Sequence, residues 1–470
     1  MRKTFTTISL TIGILASFAQ NNNSKLQKKT NNFTLENQIS KIEESEPVKR
    51  KCGTPALNSS YEEAFQAMMQ KNEQFANGKK SAVVYNIPII FHIIHTGQAV
   101  GTSATVPTRN LNAAFINSQI AALNADYRKL NTDFTTYVTQ STFIANSSDI
   151  QINFCAAKVS PTGATLAEPG IDRVLASSKS LTGTTWSMSY IESNVKPATS
   201  WDPTKYYNVF VLEFGGADAG TLGYAQFPTV TSSGTPTIGD LAGFGGAANT
   251  DGVALDWHYT GLNNDGTYNK GRTLTHETGH WLGLYHIWGD DGSACSGSDN
   301  VADTPNQGGE NYTCPSTNGA VVTDACSSTS PGVNYQNYMD YSDDKCMVMF
   351  TAGQKARMQA VMASCARRTS LNTSTVCTIP NSIDENNSNV EMSLFPNPTN
   401  GELNITIDLL NAQDFTISVI NTLGQTVKEV KQTQSNGGTI KIDLSSNSAG
   451  VYFVTLKSKT ISKTKRIILQ

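Results

Sequence analysis

The sequence predicts two folded units: an α/β (α+β) domain built on a central twisted sheet and a histidine-bearing helix, followed by a small all-β sandwich. Three features of the 470-residue chain support this fold class. Strand-like and helix-like segments alternate between residues 83 and 257, a helical pattern carries HETGHWLGLYH, and residues 391–470 contain short β-rich runs without cysteine. A chain of this length is expected to form more than one domain.

Hydrophobic periodicity defines the elements of the first unit. Val83 to Ile94 has the apolar composition of a strand, and Pro88 within it indicates an edge strand or a bulge. Residues 117–130 carry apolar side chains at helical spacing, which predicts a helix packed against the sheet. The other predicted elements are strands at residues 150–159, 207–214 and 252–257 and a closing helix at residues 354–365.

The smaller unit follows a Ser-, Thr- and Asn-rich linker predicted at residues 371–390. Short strands separated by turn signals are typical of an antiparallel sandwich. The predicted boundaries are therefore 81–370 for the first unit and 391–470 for the second. The predicted strands of the second unit are residues 403–409, 415–420, 439–444 and 451–457.

The first 80 residues are predicted to be removed during export and maturation. Residues 1–19 combine a basic start, an apolar stretch and a small-x-small end, which is the pattern of a signal peptide. Residues 20–80 predict a pro-segment, because its first part is polar and poor in apolar groups. No other segment is long and apolar enough to span a bilayer, and the net charge of −3 predicts no general attraction to nucleic acid.

The segment HETGHWLGLYH fits the pattern H-E-x-x-H-x-x-G-x-x-H at every fixed position. On a helix, His276 and His280 project from one face and can bind one metal ion, and Glu277 can take a proton from a bound water. Gly283 can adopt positive φ and turn the chain, so that His286 becomes a third ligand. Three imidazoles leave a tetrahedral zinc with one open position, the arrangement of a catalytic site. Packing of a buried helix would not require this set of residues.

Downstream, Asn337-Tyr338-Met339-Asp340-Tyr341 resembles the Met-turn of the metzincin metallopeptidases. The resemblance implies that Met339 forms a hydrophobic base beneath the zinc and that Tyr341 donates a hydrogen bond to the developing oxyanion. Alone, Met-x-Tyr would indicate an ordinary packed methionine. Behind a complete zinc motif it supports the same site.

The cysteines of an exported chain favour disulfides. Cys295, Cys314, Cys326 and Cys346 lie in a Gly-, Ser- and Asp-rich stretch that buries little apolar surface, so we expect cross-links to order it. Four cysteines permit three pairings, and spacing does not choose among them. A zinc site is the alternative, although these cysteines form no tight Cys-x-x-Cys pair.

Cys52 lies between basic residues and a glycine. This context resembles a cysteine switch, in which a pro-segment thiolate occupies the open zinc position until cleavage removes it. The flanking cations are expected to lower the pKa of the thiol and favour the thiolate. A disulfide with Cys155 is the alternative, and the sequence does not decide between the two.

Residues 81–370 resemble the pappalysin (cytophagalysin) branch of the metzincins, which implies a metzincin-type catalytic domain. The likeness therefore predicts a secreted zinc endopeptidase that acts on proteins or peptides. The rivals are a binding protein with a vestigial protease fold and a toxin-like factor that cuts one host protein. Besides the zinc motif and the Met-turn, the matching segments are Asp303-Thr304-Pro305, Phe350-Thr351-Ala352-Gly353-Gln354, Ile152-Asn153-Phe154-Cys155 and Gly170-Ile171-Asp172-Arg173.

The same resemblance implies residue roles that spacing does not show. Asp299 and Thr304 occupy positions at which the family holds calcium, a hard ion that takes oxygen ligands. A solvated polar loop is the alternative there. Asp343 and Asp344 would supply negative charge to a pocket for Arg or Lys on the primed side of the cut. The implied disulfide pairing is interleaved, Cys295–Cys326 and Cys314–Cys346.

The C-terminal segment resembles the sorting domain of the type IX secretion system. This implies an export machinery as a partner and a secreted or cell-surface location. A carbohydrate-binding sandwich is the alternative, although the segment lacks an obvious aromatic platform. The matching segments are Leu394-Phe395-Pro396-Asn397-Pro398, Asn421-Thr422-Leu423-Gly424-Gln425, Ala449-Gly450-Val451-Tyr452 and Lys463-Thr464-Lys465-Arg466-Ile467-Ile468.

Overall fold

The computed structural model describes most of the chain beyond residue 48. The described residues are 49–55, 59–76, 84–229, 246–264, 266–290, 295–296, 298–378, 390–458 and 462–470. The predicted signal peptide, the first part of the pro-segment and most of the predicted linker lie outside them. Among the described residues, no helix combines the length and the apolar composition needed to cross a membrane.

The larger unit alternates helices and strands as expected. Short helices and turns fill the connections, including Phe134–Tyr137, Ser141–Asn146 and the consecutive Met188–Tyr190, Ile191–Val195 and Lys196–Thr199. Its main elements are α1 (Ser59–Ala76), β1 (Tyr85–His95), α2 (Ala113–Tyr127), β2 (Ile152–Ala156), β3 (Ile171–Leu175), β4 (Tyr207–Leu212), β5 (Gly223–Ala225), β6 (Val253–Asp256), α3 (Arg272–Trp281), α4 (Ala352–Ser364) and α5 (Ala366–Leu371).

In the described part of this unit, the sheet has the order β2-β1-β4-β6-β5, and β3 pairs with β1 as well. The pairs are parallel except for β5, which runs antiparallel to β6. The central strands β1 and β4 are mostly apolar and buried, because both of their faces are covered. β5 is an end strand of this path, so its outer edge is open to pairing with an extended segment outside the named strands.

Helices α2 and α3 pack on one face of the sheet. Tyr127 of α2 donates a hydrogen bond to the carbonyl of Thr275 in α3 at 3.1 Å. All ten residues of α3 are buried, because the sheet, α2 and the irregular C-terminal part of the domain enclose it. The helix that carries the histidine motif is therefore fixed rigidly within the core.

Proline 88 shows where pattern reasoning was wrong. β1 is a central strand and not the edge or bulged strand that Pro88 indicates. The pairing of β1 with β4 begins only at Ile89 and runs to Ile93, so that ladder loses no N–H donor at the proline. A central strand tolerates Pro88 because the proline precedes the β1–β4 ladder, and the sequence does not show where that ladder begins.

Helix ends differ from the predictions because side-chain caps decide them. α2 begins four residues early, where the Asn112 side chain accepts a hydrogen bond from the Ala114 N–H. α4 begins at Ala352 and not at residue 354, because Thr351 and Gln354 form a reciprocal capping box.

Disulfides order the irregular region after α3. Cys295 is bonded to Cys326 and Cys314 to Cys346, the interleaved pairs that the family resemblance implies. A further disulfide joins Cys155 on β2 to Cys377, beyond the predicted domain end at residue 370. Residues 372–378 therefore remain attached to the first unit.

The C-terminal unit contains only β-strands among its described residues: β7 (Val390–Phe395), β8 (Glu402–Asn421), β9 (Thr426–Asp443), β10 (Gly450–Ser458) and β11 (Ser462–Leu469). All of their pairings are antiparallel. β8 pairs at different points with β7, β9 and β10, so the sheet bends around a core that includes Ile405, Ile417 and Val454. This confirms the all-β prediction. The two strands predicted at 403–409 and 415–420 are one long strand whose pairing shifts register between Asp408 and Phe415.

Candidate active site

Three histidine side chains converge at the end of α3. His276 and His280 lie one turn apart on the helix, and Gly283, with φ +92°, turns the chain back towards them. His286 follows this turn. The Nε2 atom of His280 lies 3.1 Å from that of His276 and 3.2 Å from that of His286.

Each of these imidazoles is oriented through its other nitrogen. The Nδ1 atoms of His276 and His280 donate hydrogen bonds to the carbonyls of Tyr338 and Leu284, both at 2.7 Å. The Nδ1 of His286 bonds the Asp290 carboxylate at 2.9 Å. Such outer partners fix the ring orientation and the tautomer of metal-binding histidines.

A neutral imidazole has one N–H group, and in each ring that group is at Nδ1, where it donates a hydrogen bond. The Nε2 atoms that face one another are therefore unprotonated. Burial, and then the neighbouring histidines, lower the pKa of His276 and His280 well below its usual value, which keeps both rings neutral. Three facing lone pairs repel one another unless a cation lies between them. Tetrahedral zinc at its usual distances would place its nitrogen ligands about 3.3 Å apart. The observed spacing fits zinc.

Glu277 lies beside this group and is 1% exposed. Burial raises the pKa of its carboxyl to about 7. Strand β5 passes so close that a Cβ on Gly223 would lie 2.9 Å from the Glu277 Cγ. The glycine therefore allows the edge strand and the predicted base to stand side by side.

The predicted Met-turn packs beneath α3. Met339 is fully buried. A Cβ added to Gly279 of α3 would lie only 2.4 Å from the Met339 sulfur. Asn337 holds the turn by accepting the Met339 N–H at 2.9 Å. The Tyr341 ring lies 5.1 Å from the His286 ring and 5.7 Å from the His276 ring, centroid to centroid. Met339 therefore packs against α3, and Tyr341 lies beside two of the histidine rings, as their predicted roles require.

Residues 50–54 of the predicted pro-segment lie across the site. Cys52 forms a parallel bridge with Gly223 of β5. The Gly53 N–H donates to the Gly223 carbonyl at 2.9 Å, and the Leu222 N–H donates to the Lys51 carbonyl at 2.9 Å. This segment thus pairs with the outer edge of β5 through an isolated parallel bridge.

The Cys52 sulfur faces the histidines. Cys52 Sγ and one ring nitrogen of each histidine all lie within 4.8 Å of one another. The thiol also donates to Glu277 Oε2 at 3.3 Å. The disulfide alternative is wrong, because Cys155 is bonded to Cys377 and Cys52 is a free thiol.

The expected effect of the flanking cations on Cys52 is also wrong. Burial and the charge of Glu277 raise the pKa of the thiol well above its usual value. Arg50 does not offset them, because its guanidinium is directed to Asp344. Without a cation between the histidines, the Cys52 thiol remains protonated.

Arg50 occupies a buried pocket beside the site. Its Nη2 lies 2.6 Å from Asp344 Oδ1, and both side chains are almost fully buried. The other oxygen of Asp344 accepts the backbone N–H groups of Lys270 and Arg272, at the start of α3, at 2.8 and 3.2 Å. Asp343 is half-buried, and its charge also acts on Arg50.

The predicted calcium residues form a compact oxygen cluster. The Thr304 hydroxyl lies 2.8 to 2.9 Å from both Asp299 oxygens and 2.8 Å from the Val301 carbonyl. Burial raises the pKa of Asp299 to about 7. The carboxylate of the neighbouring Asp303 is engaged elsewhere, because it accepts hydrogen bonds from the Thr351 hydroxyl and the Gly353 N–H at the start of α4.

Sequence reasoning missed four residues of the site. Arg50 and Thr54 flank the cysteine that it singled out, yet their long-range partners leave no local pattern. Tyr268 and Asp290 lie outside the zinc motif. The Thr54 hydroxyl donates to Glu277 Oε2 at 3.1 Å and accepts the Ala225 N–H at 2.9 Å.

Comparison with known proteins agrees with the two family resemblances found in the sequence. Residues 190–363 match the family described as Pregnancy-associated plasma protein-A, and residues 393–470 match the Secretion system C-terminal sorting domain. An "Extracellular metalloprotease" of Sordaria macrospora is 28% identical over 318 residues, covering 65% of this chain and 86% of the relative.

Two solved structures from Tannerella forsythia are also similar. Mature mirolysin in complex with a cleaved peptide is 37% identical, with a TM-score of 0.51, and the match covers 63% of this chain and 98% of mirolysin. A promirolysin mutant is 35% identical, with a TM-score of 0.53, and the match covers 68% and 96% of the two chains. This chain therefore belongs to the pregnancy-associated plasma protein-A (pappalysin) family, and is an exported zinc metalloprotease with a type IX sorting domain.

Proposed function

We propose that this protease is an endopeptidase that is made latent, cuts before Arg or Lys, and uses His276, His280 and His286 as zinc ligands and Glu277 as its base. The convergence of the three Nε2 atoms beside a buried carboxylate carries this proposal. Zinc held there would act as a Lewis acid that polarises the scissile carbonyl and lowers the pKa of a water molecule.

The protein side chains perform the proton transfers. Glu277 accepts the proton of the attacking water and then delivers it to the leaving nitrogen. Tyr341, which lies beside His276 and His286, donates a hydrogen bond to the oxygen that becomes negative. Met339 supports α3 from below and takes no part in the proton transfers.

Latency follows from three contacts of one short segment. Cys52 places its sulfur at the position that a water needs, and Thr54 engages the carboxylate of Glu277. Arg50 fills the neighbouring pocket. The backbone between them takes the edge of β5, which is the edge that a substrate strand would use.

The preference for a basic residue rests on the same pocket. The Arg50 guanidinium stands in for the basic side chain of a substrate, and Asp344 supplies the opposite charge. In the pro-segment, Arg50 lies on the N-terminal side of Cys52. A substrate that places its primed-side Arg in this pocket must therefore run in the opposite direction, antiparallel to β5. This reversal explains why the bound pro-segment does not present a bond for cleavage.

Calcium binding is proposed at the Asp299 cluster. Three oxygens surround the Thr304 hydroxyl, but its single proton can form a hydrogen bond with only one of them. A hard cation ligated by these oxygens would relieve the other close contacts. Calcium-dependent protection of this loop from proteolysis would support the site.

Cleavage-site profiling of the matured enzyme on a proteome-derived peptide library tests the proposal. Wild type, Glu277→Ala and chelator-treated samples are compared. We expect cuts before Arg and Lys that are absent from both controls. Cuts after Arg would mean that substrates run in the same direction as the pro-segment. An absence of cuts from a zinc-loaded, matured sample would instead support a binding protein with a protease fold.

A further inference from the structure

The pocket around Arg50 has an aromatic wall as well as an acidic end. The guanidinium carbon of Arg50 lies 4.7 Å from the centre of the Tyr268 ring. Tyr268 is 2% exposed, so the contact is shielded from water. A cation over an aromatic face is attracted by the ring electrons, and more strongly when water is excluded.

The rest of the pocket is fixed by α3. One Asp344 oxygen is held by two backbone N–H groups, which leaves Oδ1 as the oxygen that meets Arg50 at 2.6 Å. Arg272 binds the Asp344 carbonyl at 2.6 Å and so anchors the backbone of the same residue. The position of the carboxylate is therefore set by the protein and not by the guest side chain.

This geometry distinguishes Arg from Lys. The ammonium of Lys lies one bond closer to the backbone than the terminal nitrogens of Arg, so on the same backbone it lies farther from Asp344 Oδ1 than the guanidinium does. The planar guanidinium can reach the carboxylate and lie over the Tyr268 ring at the same time. A compact ammonium with three diverging N–H groups cannot make both contacts as well.

We infer that Tyr268 is a specificity residue, which makes the enzyme prefer Arg over Lys at the position directly after the scissile bond. The inference rests on the proposed function, since it assumes that substrates place this side chain in the pocket that Arg50 fills. Asp344 favours a positively charged side chain, and Tyr268 favours the planar guanidinium of Arg over the compact ammonium of Lys.

The experiment uses matured enzyme and quenched fluorescent peptides that are identical except for Arg, Lys or citrulline after the scissile bond. We expect wild-type kcat/KM to be at least about tenfold higher for Arg than for Lys. Tyr268→Leu, which keeps an apolar side chain without a ring, should lower that ratio about tenfold. Tyr268→Phe is the matched control and should keep the ratio within about twofold, because the ring remains.

Each outcome has one meaning. A wild-type ratio near one, or an unchanged ratio in Tyr268→Leu, overturns the role of Tyr268. If Tyr268→Leu loses activity on both peptides, Tyr268→Met replaces it, because Met fills space without an aromatic face. Equal cleavage of the citrulline and Arg peptides by wild type would instead overturn the proposed preference for a charged residue, independently of Tyr268.

Discussion

The proposed metal-binding segment, residues 276–286, and the proposed blocking segment, residues 50–54, meet at the same site but are held there by different interactions. Local geometry fixes the first: one helix and one glycine turn bring three imidazoles together. Contacts with partners more than 160 residues away fix the second, including Asp344, Glu277 and β5. A local pattern can therefore be read from the sequence, whereas a docked segment needs the fold.

The strongest test of the metal-binding segment is Glu277→Ala. Removing the base should lower kcat by at least about a thousandfold, because the proton of the attacking water has no other acceptor in place. The three histidines are untouched, so zinc content measured by mass spectrometry should stay at one ion per protein. Near-normal turnover would show that Glu277 is not the base. Loss of zinc would show that the variant disturbs the site itself.

Among changes to the blocking segment, removing the Cys52 sulfur should have the largest effect on activation. We expect Cys52→Ala to shorten the activation time of the purified proenzyme by at least about tenfold, because the sulfur is the group that faces the histidines. Activation is followed by gel electrophoresis and peptide cleavage. Glu63→Ala, which removes a solvent-exposed side chain of α1, is the control. Equal acceleration in both variants would contradict a specific role for Cys52.

Thr54→Val separates the hydroxyl from the sulfur. Valine keeps the shape of threonine but removes the hydrogen bonds to Glu277 and from Ala225. We expect activation about three- to tenfold faster than wild type, as a hydrogen bond to a buried charged group is lost. Thr54→Ser, which keeps the hydroxyl, should activate at nearly the wild-type rate. If Ser and Val behave alike, the hydroxyl plays no part in latency.

The smallest effect should come from Glu62, which lies on α1 outside residues 50–54. Glu62 on α1 forms a two-pronged ion pair with Arg357 on α4, at 2.7 and 3.0 Å, and Arg357 also donates to the Gly283 carbonyl. Glu62→Gln should loosen the attachment of α1 and speed activation about twofold. The solvent-exposed Glu63→Gln is its control. Hydrogen exchange in α1 checks the mechanism, and unchanged protection there would contradict it.

The C-terminal unit shows the limit of pattern reading in another way. Its strand content was predicted, and the structure confirms the all-β class. The joining of two predicted strands into β8 was not, because the strand continues through residues 410–414 while its pairing with β9 shifts register on either side of Gln413. Turn-like composition at residues 410–414 therefore misled the prediction of a break.

The sequence by itself predicted the three histidines, Glu277 as the base and Met339 in a Met-turn. His276 and His280 could be paired from spacing alone, because side chains one helical turn apart share a face whatever surrounds them. It also determined the order of most strands and helices along the chain. Tertiary structure alone decided the pairing of Cys155 with Cys377, the central position of β1 despite Pro88, and the docking of Arg50 between Asp344 and Tyr268. These depend on contacts between residues far apart in the chain, and such contacts leave no periodic pattern in the sequence.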